Sequence, residues 1–88
     1  MAGTSALVRL GKTEVWAYVV ETGEGLRVRE SADEWAALGL HAGQRLPVRR
    51  PGRADEPMFL AEAIEVPPFV WLVMLSRTAL TPTWPERG

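Results

Sequence analysis

The densest group of like charges in the sequence is a set of arginines in its second half. Its members are Arg45, Arg49, Arg50 and Arg53. Guanidinium groups match phosphate oxygens, so this set is a candidate contact to nucleic acid. The same side chains also suit a solvated strand and loop, where they discourage edge-to-edge pairing. Because Asp55 and Glu56 follow directly and dilute the positive field, the sequence favours the solvated surface.

Residues suited to acid–base or metal chemistry are scattered. His41 is the only histidine, and it lies in a predicted turn with no obvious partner for proton transfer. The glutamates Glu14, Glu21, Glu24, Glu30, Glu62 and Glu65 are spread along the chain. Their spacing fits no metal signature, and a solvated face accounts for them. We therefore expect no catalytic residue, no metal and no cofactor, and no enzymatic activity.

A set of aromatic residues on the predicted strands could stack on nucleic-acid bases. The set comprises Trp16, Tyr18, Phe59, Phe69 and Trp71. Small barrels of the OB type use aromatic residues in this way. Their apolar neighbours favour the other interpretation, a place in the core or in a subunit interface.

The last predicted strand is apolar on both faces. Its residues predicted to take part in self-association are Phe69, Val70, Trp71, Leu72, Val73 and Met74. Since neither face suits water, the strand predicts a homo-oligomer interface or a groove for a partner protein. A small domain without cysteine also lacks disulfides as a source of stability, which leaves good packing or oligomerisation.

Short strands must position these side chains, and the pattern predicts them in several places. The ranges are Ala6–Leu10, Glu14–Glu21, Leu26–Arg29, Arg45–Arg49, Met58–Val66 and Phe69–Ser76. The first two strands are expected to form a hairpin. The second, like the last, is apolar on both faces, so a barrel interior should cover one side and a helix or another subunit the other. Pro47 cannot donate to a ladder, which predicts an edge strand.

A short helix is predicted at about residues 31–38. Ser31 and Glu34 have the spacing of a capping box, and Asp33 complements the helix dipole. Gly39 suits the left-handed position that ends a helix. The predicted fold is mainly β, a small β-barrel or compact sandwich of about six strands with this one helix, of the SH3-like or OB-like kind.

Length and composition set the wider limits. The 88 residues leave room for a single domain, placed at residues 1–77 with an extended or partly disordered tail at 78–88. The net charge of -1 does not favour nucleic acid. No signal peptide or membrane span is predicted, so we expect a cytoplasmic protein. Nine arginines against one lysine suggest a bacterial source with a GC-rich genome.

The stretch from Leu26 to Val48 resembles the AbrB-like swapped-hairpin family. The matching segments are Leu26–Arg29, Ser31–Leu38, Gly39–Leu40, Gly43–Gln44 and Arg45–Val48. The resemblance implies an intertwined dimer that contacts DNA through Arg27 and Arg29. The chain departs from that family at Ala36 and Ala37, where arginines are usual, and in its greater length. SH3-like and TOBE-like barrels share the same pattern.

The sequence therefore favours a non-catalytic β-barrel binding or assembly module that self-associates through its last strand. One alternative is a nucleic-acid-binding regulator or antitoxin. Its contacts would be Arg27, Arg29, Arg45, Arg49, Arg50 and Arg53. Another alternative is an accessory subunit of an enzyme complex, whose active site a partner protein supplies.

Overall fold

Alternation of apolar and polar residues, interrupted by glycine and proline turns, builds the strands of this chain. A computed structural model describes residues 3–76. The elements are β1 (Thr4–Leu10), β2 (Thr13–Thr22), β3 (Gly25–Ser31), α1 (Ala32–Leu38), β4 (Arg45–Arg49), β5 (Asp55–Val66) and β6 (Phe69–Ser76). The tail predicted at 78–88 lies outside the described residues.

The six strands close into one antiparallel barrel in the order β1-β2-β3-β6-β5-β4. This confirms the predicted class, a small and mainly β barrel with one short helix, and the predicted β1–β2 hairpin. Closure comes from a short pairing of β1 with β4, in which Arg9 lies opposite Arg49 and Leu10 opposite Val48.

The prediction that Pro47 marks an edge strand is wrong, because β4 pairs with both β1 and β5. The Pro47 carbonyl accepts a hydrogen bond from the Gly11 amide at 2.8 Å on the β1 side. The nitrogen of Pro47 points to that same side. Its missing donor therefore lies at the end of the short β1–β4 pairing. β5 also begins earlier than predicted, since Asp55 already pairs with Arg49.

The barrel interior holds a contiguous apolar core. Its buried members are Val8, Leu10, Ala17, Val19, Leu26, Val28, Leu46, Val48, Met58, Leu60, Val70, Leu72 and Met74. Trp35 and Leu38 of α1 pack against this cluster. Burial of each large aliphatic side chain contributes about 1.5–3 kcal/mol to folding, which makes the interior the main source of stability.

Helix α1 begins and ends as its sequence predicts. The Glu34 amide donates a hydrogen bond to Ser31 Oγ at 3.1 Å. The Glu34 carboxylate accepts one from the Ser31 amide, which completes the capping box. Gly39 ends the helix with a φ of 68°, in the left-handed region. No helix of residues 3–76 is long and apolar enough to cross a membrane.

The segment that resembles AbrB-like proteins keeps its local order of strand, helix and strand. Its two strands, however, lie on opposite sides of the barrel: β3 pairs with β2 and β6, whereas β4 pairs with β1 and β5. The barrel closes within a single chain. A second, intertwined chain is therefore not needed to complete this sheet.

Candidate interaction face and a buried acid

The outer surface of β2, β3, β6 and β5 carries large apolar side chains that no other element covers in residues 3–76. We call this surface the outer face. Its members are Trp16, Tyr18, Val20, Arg27, Arg29, Glu62, Ile64, Val66, Phe69, Trp71 and Val73. Strand residues point alternately into and out of a barrel, so the inward positions of Ala17 and Val19 put Trp16, Tyr18 and Val20 outside.

Strand register arranges the outer face in rows. Tyr18, Arg29, Trp71 and Ile64 are successive neighbours across β2, β3, β6 and β5. Val20, Arg27, Val73 and Glu62 form the next row. A groove of about 270 Å³ lies between the rows, lined by residues of both.

Aromatic rings hold one guanidinium in place on this face. The Arg29 guanidinium lies 4.8 Å from the centre of the Tyr18 ring and 4.4 Å from that of Phe69. The Tyr18 and Trp71 rings meet edge to face, with their centres 6.1 Å apart. Each cation–π contact contributes about 0.5–2 kcal/mol, so the cluster presents a fixed surface rather than loose side chains.

The six residues predicted for self-association divide between the two sides of β6. Phe69, Trp71 and Val73 belong to the outer face. The prediction is wrong for Val70, Leu72 and Met74, which are buried in the barrel core. A pleated strand cannot show both faces to a partner once its inner face fills a barrel.

Two of the aromatic residues assigned to a core or interface, Trp16 and Phe69, are exposed on the outer face, and so not in the core. Sequence reasoning missed Ile64 and Val66 as members of this surface. They lie on β5, whose outward positions depend on an irregularity that the sequence pattern does not reveal.

The arginine set of the second half is largely neutralised by carboxylates. Arg49 Nε lies 3.0 Å from Asp55 Oδ1. Arg50 is buried and pairs with Glu56 at 2.7 Å and with Glu21 at 3.3 Å, while Arg53 reaches Glu21 at 3.4 Å. Burial of Arg50 contradicts its prediction as a nucleic-acid contact, because its guanidinium already serves two carboxylates.

The other predicted nucleic-acid contacts are Arg27, Arg29 and Arg45. The first two lie on the outer face, and Arg45 is exposed on β4. Within residues 3–76 none of these three forms an ion pair. The six arginines therefore do not form one continuous basic surface.

Glu30 is the unexpected side chain of the structure. Its prediction as part of a solvated face is wrong, since it is only 1% exposed and sits at the end of β3 opposite Val70. Leu26, Val28 and Glu30 alternate along β3 and all point inward. Strand residues two apart share a face, so the apolar Leu26 and Val28 indicate that position 30 also points inward. This alternation is the sequence signal for the burial of Glu30.

The carboxyl of Glu30 is held mostly protonated near neutral pH. Burial raises the pKa of Glu30 to about 8, from an ordinary value of 4.5. The Glu34 carboxyl acts in the same direction, as a hydrogen-bond partner and as a like charge. As a carboxylate, Glu30 has no hydrogen-bond partner in the described part of the chain, but a protonated Glu30 can donate to Glu34.

The structure does not bring His41 or the carboxylates of residues 3–76 together into a metal-binding cluster. His41 is exposed, and its Nδ1 lies 3.3 Å from the carbonyl oxygen of its neighbour Ala42. Residues 3–76 contain no cluster of three or more metal-binding side chains. No protein-family model, curated protein or solved structure matches the chain.

Proposed function

We propose that this chain is a non-catalytic assembly module that self-associates through its outer face. The observation that carries the proposal is the exposure of large apolar side chains together on one half of the barrel. Trp16 is 66% exposed, Val66 50%, Ile64 41% and Phe69 37%. Contiguous apolar surface on a folded chain is typical of an interaction site, because covering it gains about 25 cal/mol per Å².

The construction of the outer face suits protein association. Its side chains project from paired strands, so no backbone segment has to become ordered when they are covered. Tryptophan, tyrosine and arginine, the residue types most enriched at interface hot spots, all occur on it. A sheet face of this kind packs on another sheet at about 10 Å, a spacing that its aromatic side chains can fill.

Trp71→Glu and Ile64→Glu are expected to weaken self-association. Each places a carboxylate where the apolar contact should form, so we expect the dissociation constant to rise about thirtyfold or more, the equivalent of about 2 kcal/mol. Sedimentation equilibrium at micromolar concentrations measures the effect. The unmodified chain should show a mass above that of one chain.

Ala36→Glu is the matched control, because it adds the same charge at an exposed position of α1, outside the outer face. It should associate like the unmodified chain, and far-ultraviolet circular dichroism should show all three variants folded. A strictly monomeric unmodified chain over the whole concentration range would rule out the proposed function.

A second candidate function is the binding of single-stranded nucleic acid on the same face. The observation that favours it is the packing of Arg29 between Tyr18 and Phe69, beside Trp71. Aromatic rings that stack on bases contribute about 1–3 kcal/mol per base, and a guanidinium suits the phosphate. Neutralisation of Arg49, Arg50 and Arg53 makes this candidate weaker than self-association.

Fluorescence anisotropy with a labelled oligonucleotide separates the two functions. Nucleic-acid binding requires an affinity that falls steeply with salt and drops about tenfold in Phe69→Ala. Arg49→Ala is the control, because Arg49 lies on β4 and is paired with Asp55. The assembly function instead predicts no binding that depends on salt in this way.

A further inference from the structure

We propose that two copies of this chain pack outer face to outer face about a two-fold axis that runs along β6, so that Arg27 of each copy meets Glu62 of the other. This inference rests on the proposed function and specifies its geometry. Its basis is the arrangement of charge on the face.

Arg27 and Glu62 flank the centre of the outer face symmetrically. Each is the cross-strand neighbour of Val73, Arg27 from β3 and Glu62 from β5. Adjacent strands are about 4.8 Å apart, so the two charges lie about one strand to either side of β6. Both side chains are exposed, and neither has an ion-pair partner among residues 3–76.

An irregularity in β5 brings Glu62 to this surface. Leu60 lies opposite Met74, whereas Glu62 lies opposite Val73, which leaves one extra residue in β5 between them. Residues two apart on a regular strand share a face, so without this bulge Glu62 would point inward like Leu60. Because of the bulge, Glu62 points outward. Ala63 points inward and packs against the core.

The signs of these charges select one of two simple ways to pair the face with itself. An axis along β6 exchanges the two sides of that strand, so Arg27 lies over the partner's Glu62 and the reverse holds by symmetry. An axis across the strands places β3 over β3 and brings guanidinium groups together. Opposite charges attract and like charges repel, so the axis along β6 is favoured.

The same axis buries the apolar centre of the face. Trp71 and Val73 lie on β6 itself, so they pack against their own equivalents. The groove lined by Arg27, Trp71 and Val73 then closes between the two sheets and excludes water. Exclusion of water strengthens the flanking ion pairs, which would be worth little on an open surface.

Charge exchange tests the axis. Arg27→Glu and Glu62→Arg should each raise the dissociation constant about tenfold or more, since each creates two like-charge contacts per dimer. The double variant restores opposite charges and should associate within about threefold of the unmodified chain. An equimolar mixture of the two single variants should also associate, because each supplies the charge that the other needs.

Controls keep this test separate from the test of self-association itself. Glu24→Arg makes the same charge change at an exposed turn and should leave association unchanged. Single variants that associate normally while Ile64→Glu does not, or a double variant and a mixture that both fail to recover, would overturn the axis but leave the assembly function standing. A monomeric unmodified chain would overturn both.

Discussion

Unfolding experiments across the pH range are expected to show that this barrel loses stability as the pH rises from about 5 to about 8. The group responsible is Glu30, whose pKa burial raises to about 8 from 4.5. Between these values the folded chain keeps a proton that the unfolded chain has released. The free energy of unfolding should therefore fall by about 1.4 kcal/mol per pH unit, and this contribution levels off below and above the window.

Replacement of Glu30 isolates this effect. Glu30→Gln keeps the shape of the side chain, and Glu30→Leu removes both oxygens. Neither variant can release a proton on unfolding, so both should lose the slope, and Glu30→Leu should be more stable than the unmodified chain at pH 7 by roughly 3 kcal/mol. Denaturant titrations at several pH values measure both quantities.

Glu24→Gln provides the comparison, because it makes the same chemical change at an exposed turn and should preserve the slope. If the slope persisted unchanged in Glu30→Gln, the pH dependence would have to come from another group. If the unmodified chain showed no slope, Glu30 would be ionised in the folded state.

Local patterns predicted the elements of this fold well, for physical reasons that can be named. Each rests on residues close together in the chain: the capping box of Ser31 and Glu34, the left-handed Gly39, and the alternation of Leu26 to Arg29. The apolar outer side of β6 could also be predicted, because Trp71 and Val73 alternate with the residues that fill the core.

The features that local patterns missed depend on contacts between distant parts of the chain. Closure of the barrel pairs β1 with β4, where Arg9 lies opposite Arg49. The ion pair of Glu21 with Arg50 connects β2 to the loop after β4. The bulge before Glu62 is a property of the β5–β6 register rather than of β5 alone. Burial of Glu30 is the exception, because the local alternation of β3 indicates it while the charge of the residue favours the surface.

Gly25→Ala is expected to destabilise the barrel strongly through backbone contact. Gly25 is buried at the start of β3, opposite Leu75, and a methyl group there would overlap the carbonyl oxygen of Met74 and approach the Leu75 Cα to 3.0 Å. Both obstacles are backbone atoms of β6, so relief requires β3 and β6 to separate. We expect a loss of about 3 kcal/mol or more in the free energy of unfolding, at the upper end for an overpacked site.

Gly23→Ala is the matched control for this substitution. It makes the same change in the preceding turn, where an added methyl group would meet nothing within 4 Å, and Gly23 does not need a positive φ. Its midpoint in denaturant should stay close to that of the unmodified chain, while that of Gly25→Ala shifts strongly to lower concentration. Equal midpoints for the two variants would mean that β3 and β6 do not approach each other at Gly25 as closely as their pairing in the barrel requires.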